Sequence, residues 1–320
     1  MSRLGLPAVG YGVAGLGNLY SAMPEEEWPR CVPAAWDAGI RYFDVAPHYG
    51  LGLAEERLGA SLAAYPRDEY VVSTKVGRVL EPNPDYEPGQ TDIDSLFDVP
   101  ATRRRVYDYS RDGVLRSIEQ SLERMGLDRL DIVLVHDPDD HEREALDGAF
   151  PALDELRSQG VIRAYGAGMN QSAMLTRFVE RTDLDVVMMA GRYTLLEDGA
   201  AHDLLPAAAA RGVDVLAAAV FNSGVLATPR IASDARYNYG AVPEELRRRV
   251  DAIADIAERH GCTVPQLAAQ YPLRASVVST VVLGAKSAEQ VRANAALVDA
   301  QIPMAVWDEL ESAGLVARAL

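Results

Sequence analysis

The chain has 320 residues, 48% of them hydrophobic, enough for a large core; length alone suggests roughly two domains, although barrels routinely exceed that prior. A formal charge of −16 argues against a nucleic-acid partner, because a phosphate backbone needs a basic surface, and says little about small substrates. No charged-apolar-small leader opens the sequence and no apolar run is long enough to span a bilayer, so a cytoplasmic protein without a membrane partner is expected.

The first predicted strand, Ala8 to Val13, feeds glycines at 10, 12, 15 and 17. GYGVAGLGN looks like a dinucleotide fingerprint, but no acidic residue follows a second strand where one is required, so it reads as a tight backbone turn. A helix over Glu25–Ala38 carries acids in its first turn, favourable to the helix dipole. Cys31 in that helix and Cys262 far downstream read as reduced structural thiols. A strand at Arg41–Asp44 leads through a Pro/His/Gly turn into a helix at Glu55–Ala64, and a third strand, Tyr70–Thr74, ends at Lys75. From Gly77 to Val106 the periodicity breaks down, and a loop of that length suggests a lid or substrate wall. A helix at Arg111–Met125, apolar at 114, 115, 118 and 122, precedes a strand at Asp131–Val135 and then His136.

The alternation continues with a helix at Leu146–Gln159, a strand at Val161–Gly166, a helix at Ser172–Glu180 and a strand at Asp185–Met189. A helix at Ala201–Arg211, a strand at Val213–Ala219 and a second long loop, Phe221–Val242, come next. Helices at Glu244–His260 and Val264–Arg274, a strand at Val277–Leu283, and helices at Ala288–Val298 and Ala305–Ala313 close the chain. Apolar strands interleaved with amphipathic helices imply an α/β protein with a parallel, helix-covered sheet. Eight units without a linker favour a single (β/α)8 TIM barrel over residues 1–320 rather than an open sheet.

Asp44, Tyr49, Lys75 and His136 each follow a predicted strand, and in a barrel those positions share the C-terminal rim where active sites sit. A tyrosine with a pKa near about 10 is a poor base at neutral pH. A lysine ammonium beside it should lower that value, Asp44 would keep the lysine charged, and His136 can donate to a substrate oxygen. Such a set moves a proton to or from a carbonyl or alcohol oxygen while another group moves a hydride. His48, beside Tyr49, is a candidate substrate contact. Tyr86, Tyr107 and Tyr109 either line a sugar site or hold the long loop down. His141, His202 and His260 read as surface or helix-end residues, and Arg103–Arg105 as a solvated loop face. HDPDDHE is rich in hard ligands, but with His136 in the tetrad its acids read as a solvated turn, so no metal is expected.

FDVAPHYG…E, STK and LVHDP together resemble the tetrad motifs of the aldo-keto reductase superfamily, in order and across essentially the whole chain. The resemblance implies a (β/α)8 barrel that binds a nicotinamide cofactor in extended form, with Tyr49 as general acid/base, Lys75 and Asp44 tuning it, and His136 orienting substrate. YGAGMNQ is similar to the family's G-x-S-N motif, which implies Asn170 on the nicotinamide carboxamide and Met169 in place of serine; Asn170 also reads as a helix N-cap. In AGRYTLL, Ala190 replaces the usual glutamine, and the tyrosine of that segment, Tyr193, is assigned to the cofactor. Phe221 lies where an aromatic could stack on the nicotinamide or anchor the loop; ungapped alignment puts the family's stacking tyrosine nearer Ala218.

VVLGAKSAEQVRANAAL is similar to the family's phosphate-binding helix start. Aligned on Asn294, Gln290 stands for the usual arginine and Gly284 for the usual lysine. An NADP 2′-phosphate wants a guanidinium, so the resemblance implies NAD, with NADP left open by Lys286. GNLY, LVHDPD, AGRYTLLE and FNSGVLA resemble the aldose 1-dehydrogenase group, which implies oxidation of a cyclic hemiacetal (L-fucose, D-arabinose or L-galactose) to its lactone; pyridoxal 4-dehydrogenases are similar too. The implied partner is a small polar carbonyl or hemiacetal, and a monomer or small homo-oligomer is expected. With its end at Leu320, a few residues past the last helix, the chain should lack a long C-terminal loop to build an apolar lid. An NADPH-dependent aldehyde reductase and a non-catalytic barrel, like channel-associated β subunits, are the other readings. The complete tetrad favours an enzyme where fold alone would not decide.

Overall fold

In the computed structural model, which describes residues 4–232, 235–237 and 240–318, eight parallel strands close into a barrel. They are β1 (Val9–Gly12), β2 (Tyr42–Asp44), β3 (Val71–Val76), β4 (Ile132–His136), β5 (Ala164–Met169), β6 (Val186–Ala190), β7 (Asp214–Ala218) and β8 (Val278–Gly284). They pair in sequence order around the ring, and β8 closes on β1 in a register running from Val9–Val281 to Gly12–Gly284. The helices are α1 (Trp28–Asp37), α2 (Leu53–Leu62), α3 (Arg111–Met125), α4 (Phe150–Ser158), α5 (Ser172–Arg181), α6 (Leu204–Arg211), α7 (Glu244–Arg259), α8 (Val264–Gln270), α9 (Ala288–Asp299) and α10 (Met304–Ser312). The (β/α)8 barrel expected from the sequence is therefore the fold. Among the described residues no helix is long and apolar enough to cross a membrane, and Cys31 and Cys262 are buried free thiols.

Side chains two apart on a strand share a face, and this period sorts the barrel. Tyr42, Ile132, Leu134, Ala164, Val186, Met188, Leu216 and Val282 fill the interior together with Leu4 and Leu6. Leu4 is tied across the barrel, its N–H donating to Asp214 Oδ2 at 3.2 Å and its carbonyl accepting from Arg163. One period further along each strand, the last inward positions are Gly12, Asp44, Lys75, His136, Gly168, Ala190, Ala218 and Gly284, and all eight line one cleft. Alternate residues such as Phe43, Val72, Val133 and Val135 face outward into the larger core beneath the helices.

Several expectations shift for identifiable reasons. Helix α1 starts at Trp28 rather than Glu25 because Pro29 sits in its first turn. Glu25 instead bonds Trp28 Nε1 and Arg57. The stretch before α4, residues 145–149, is a π turn, so the regular helix begins at Phe150. The largest correction concerns Gly77–Val106, which is no structureless loop. Arg78–Pro82 pairs antiparallel with Arg103–Tyr107, and Leu80, Phe97 and Val99 form a small second core with Leu51. Of the arginines 103–105, expected on a solvated face, Arg105 is instead largely buried. Arg103 donates to Leu51 O and Glu56, and Arg105 to Asp92 and His48 O, which leaves Arg104 outermost on Glu81. In the second loop, two-residue strands at Arg236–Tyr237 and Gly240–Ala241 pair; residues 233, 234, 238 and 239 of that loop, and Leu320, lie outside the described residues.

The motif glutamate, Glu55, proves to be structural. It is fully buried, pairs with Arg124 Nε at 2.6 Å and accepts from Thr74 Oγ1 at 2.8 Å, so it ties α2 to α3 and β3. Removing one partner strands a buried charge. Glu55→Ala should therefore lower the free energy of urea unfolding by about 3–5 kcal/mol, and a loss under about 1 kcal/mol, the scale of a surface pair, would refute that role.

Candidate active site

On β2 and β3 the period of two stacks polar groups in a column. Lys75 Nζ donates to Asp44 Oδ2 at 2.7 Å, to Val45 O at 3.0 Å and to Tyr49 OH at 3.0 Å. An ammonium has three protons, so none is spare. Asp44 Oδ1 accepts from Ser73 Oγ at 2.7 Å, and Ser73 Oγ lies 2.9 Å from Tyr42 OH. Ser73 has one proton and gives it to Asp44, so Tyr42 must donate to Ser73. The same arithmetic at the other end leaves Tyr49 accepting from Lys75 and turning its own O–H toward the cleft.

Tyr49 is placed by a close backbone approach. The one-turn 3-10 helix Val13–Gly17 after β1 lies against it, and a Cβ on Gly17 would stand 2.7 Å from the Tyr49 carbonyl. Gly50, at φ +64°, meets Gly17 from the other side, where a Cβ would fall 2.4 Å from Gly17 O. The glycine cluster is thus the tight turn expected of it.

The electrostatics correct one expectation. Burial pushes the Tyr49 phenol above its ordinary value, and the Lys75 ammonium pulls it down without cancelling that rise. Burial also works against the charge on Lys75, but Asp44 and Tyr49 outweigh it and hold the ammonium firmly protonated. His136 is driven well below its usual range by burial and by the cations Arg78 and Lys75, so its imidazole is neutral. His48, beside it with ring centroids 5.6 Å apart, is pushed down to about 2 by burial and then by Arg105, Arg78 and Lys75.

Asp44, His48, Tyr49, Lys75, His136 and Asn170 share a cleft of about 390 Å³. An adjoining chamber of about 400 Å³ continues past Phe221 and Gly284 to Lys286 and Gln290. The first cleft has a floor of small residues, Gly12, Gly168, Ala190, Ala218 and Gly284, of which Gly284 also lines the second chamber. A Cβ added at Gly284 would meet nothing nearer than 3.9 Å and one at Gly168 nothing nearer than 3.5 Å, so the space above those two glycines is open, whereas one at Gly12 would meet Val282 at 3.1 Å. At the chamber's far end the chain supplies its own capping. Lys286 N donates to Gln290 Oε1, Ala288 N to Glu27 Oε1 at 2.7 Å and Gln290 N to Ser287 Oγ. Lys286 Nζ is spent on Leu19 O, Ser21 O and Ser21 Oγ. Asn294 bonds Gly284 O at 2.9 Å and lines neither chamber.

Other expected residues lie elsewhere. Tyr193 is 2% exposed and packs on Tyr271, ring centroids 5.5 Å apart, because the chain turns out of β6 at Gly191 (φ +68°). Tyr86 lies in the hairpin insertion away from the cleft; Ser95, Leu96 and Phe97 form the wall instead. Tyr109 braces β4 by donating to His136 O at 3.0 Å. Asn170 is exposed and caps nothing, since Gln171 holds the N-cap position. Sequence reading missed Tyr20 and Asp137, which both line the cleft; the available signal for Asp137 was its position directly after His136. Six of the eight described non-glycine residues with positive φ line the two chambers: Tyr20, Leu96, Asp137, Ala219, Asn222 and Ser223. Among the described residues no cluster of His, Cys, Asp or Glu could hold a metal.

Residues 8–314 match the aldo/keto reductase family model. The chain is 48% identical to a D-threo-aldose 1-dehydrogenase of a Pseudomonas species, across 98% of this chain and 95% of that protein. It is 37% identical to a pyridoxal 4-dehydrogenase of Microbacterium luteolum, across 99% and 97%. Among solved structures it resembles the holo form of an aldo-keto reductase from Bacillus halodurans, with a TM-score of 0.76 and 24% identity over 100% of this chain and 96% of that one.

The column of protons has a measurable consequence. Lys75→Met removes the cation that lowers the Tyr49 phenol, so the phenol should titrate still higher than in the parent chain. Tyrosine labelled with 13C at Cζ, assigned through Tyr49→Phe, reads this directly, and an unmoved titration would contradict the coupling.

Proposed function

Because the chain belongs to the aldo/keto reductase family, and is therefore an oxidoreductase, we propose that it is a nicotinamide-dependent aldose 1-dehydrogenase acting as a single cytoplasmic barrel domain. The substrate is a small cyclic aldose, oxidised at C1 to its lactone. The observation that carries this reading is the Tyr49 hydroxyl, 3.0 Å from Lys75 Nζ, with its proton turned into a cleft shared with a neutral His136. The 48% identity to a D-threo-aldose 1-dehydrogenase supports the substrate class, and the two buried, reduced cysteines suit a reducing compartment.

The residues that would hold the cofactor are Asn170, at the edge of the cleft, the small-residue floor and Phe221. When bound, the dinucleotide supplies the hydride acceptor. Tyr49, as phenolate, takes the proton of the anomeric hydroxyl. Lys75 holds that oxygen's charge, and Asp44 keeps Lys75 charged in a site nearly without water. The neutral His136 fixes the reacting oxygen by donating a hydrogen bond. NAD is preferred to NADP because the Ala288 and Gln290 amides at the start of α9 are already occupied and Glu27 adds a negative charge there. A phosphate would meet repulsion, with Gln290 where a guanidinium would be needed.

Tyr49→Phe should lower kcat by about 10²–10⁴-fold while the cofactor Kd, read by fluorescence quenching, stays within a few-fold. Oxidation needs the phenolate and burial raises that pKa, so the rate should climb with pH through the alkaline range. Both imidazoles stay neutral from the acid side upward, so no inflection should fall near the ordinary histidine value. Near-normal turnover in Tyr49→Phe would end the acid–base assignment.

Initial rates with L-fucose, D-arabinose, L-galactose and pyridoxal, each with NAD and NADP, test the substrate. A sugar oxidised with NAD, and NADP binding at least about tenfold (~1.4 kcal/mol) more weakly, is the expected result. Turnover of pyridoxal alone would move the substrate, and equal binding of both cofactors would remove the role given to Glu27 and Gln290.

A further inference from the structure

The residue after His136 is held with unusual care for a turn. Asp137 sits at φ +38°, in left-handed backbone that a non-glycine residue rarely adopts. Its N–H donates to Gly168 O at 3.0 Å, and its carbonyl accepts from Tyr109 OH at 3.2 Å. Strain of this kind persists where the surroundings enforce it, most often at functional positions. The effect is to lean the carboxylate into the cleft, with its side chain about one-third exposed at 33%. Arg78 Nη2 braces Oδ2 at 2.7 Å and is its carboxylate's one hydrogen-bond partner among the described residues. The Arg78 guanidinium itself lies over the Tyr107 ring, 5.7 Å from its centroid.

We propose that Asp137, braced by Arg78, is a specificity-determining residue that accepts the hydroxyl on the carbon next to the reacting one, and so selects 2-hydroxy sugars. The inference rests on the aldose reading above. If the reacting oxygen lies between Tyr49 OH and His136 Nε2, the neighbouring hydroxyl of a sugar lies about one hydrogen-bond length away. Asp137 Oδ2 stands 3.5 Å from His136 Nε2, which is where that hydroxyl arrives. An ionised carboxylate only accepts. A hydroxyl donor satisfies it, whereas a deoxy carbon leaves a partly desolvated charge with one partner fewer.

His48 lines the same cleft. His48 Nδ1 is buried without a hydrogen-bond partner, and its backbone is clamped by Arg105 donating to His48 O at 2.9 Å. Its ring is wedged edge-on between Phe97 and His136 at 5.3 and 5.6 Å, so it cannot swing away to find a partner in the protein. The rim at this point therefore sets the Asp137 carboxylate beside an imidazole ring fixed in place, and the carboxylate is the acceptor a sugar hydroxyl there meets.

The test compares aldoses with their 2-deoxy counterparts: D-arabinose against 2-deoxy-D-ribose, and L-fucose against 2-deoxy-L-fucose. The parent enzyme should favour the 2-hydroxy member by about 10²-fold in kcat/KM, the scale of one hydrogen bond to a charged group. Asp137→Gly removes the carboxylate and is at ease in left-handed backbone. It should bring each pair within a few-fold, by raising KM for the hydroxylated sugar, while the NAD Kd stays unchanged. Asp137→Asn keeps an acceptor oxygen and should restore part of the preference, which a purely structural role would not produce. A preference that survives in Asp137→Gly overturns the inference and leaves the aldose reading standing. Failure of the parent enzyme to oxidise any of these sugars overturns both.

Discussion

A lysine and an aspartate 2.7 Å apart, with side chains 2% and 3% exposed, set the terms for the rest of the molecule. Taking two charges out of water costs several kcal/mol for each ion, and the pair is tolerable only if its remaining protons and lone pairs are met. Here they are. Lys75 places its three protons on Asp44, Val45 and Tyr49, and Asp44 uses both oxygens, one on Lys75 and one on Ser73. The same bonds fix the Tyr49 oxygen, so a requirement of stability and a requirement of chemistry are met by one set of contacts. The closed barrel supplies the rigidity, since neither β2 nor β3 can slide without breaking a register shared with both neighbours.

The eight inward positions at the end of the strands divide unequally. Three adjacent strands, β2, β3 and β4, contribute Asp44, Lys75 and His136, and the remaining five contribute only glycine or alanine. Charge and acid–base chemistry are gathered on one side of the mouth, and the other side is kept low and open. That asymmetry puts the side of the mouth that carries ionisable groups next to the side that leaves open space.

Much of this was legible in the sequence. The strands stand out as short apolar runs; Asp44 ends one, Lys75 and His136 come at the ends of two more, and Tyr49 lies five residues past Asp44, so topology brings them together. What failed had physical causes. The Arg78–Pro82 and Arg103–Tyr107 hairpin is rich in arginines whose partners, Asp137, Glu56 and Asp92 beside the one cross-strand pair Arg104–Glu81, lie mostly elsewhere in the chain, so it carries no apolar periodicity. Tyr86 lies in a long insertion in which nothing local reveals that Phe97 is the aromatic that folds inward. Tyr193 lies three residues past Ala190 at the rim, but Gly191 turns the chain outward and sends the ring to Tyr271. The positive charge of Lys286 reads as a phosphate ligand until its three bonds to Leu19 and Ser21 are seen. The expectation that Lys75 would leave Tyr49 more acidic than a free phenol overlooked desolvation, which depends on burial and cannot be read from neighbours in sequence.

The column beneath Tyr49 is also a dead end. Lys75 has no proton to relay onward and no lone pair to receive one. The branch through Asp44 and Ser73 stops at Tyr42, a phenol with no exposure inside the barrel. In the oxidation proposed above, a proton taken by Tyr49 therefore has one exit, the mouth of the cleft. The room has one door. The enzyme resets only when that door is open to water, and a ligand that lingers in the cleft traps the proton as well as the site.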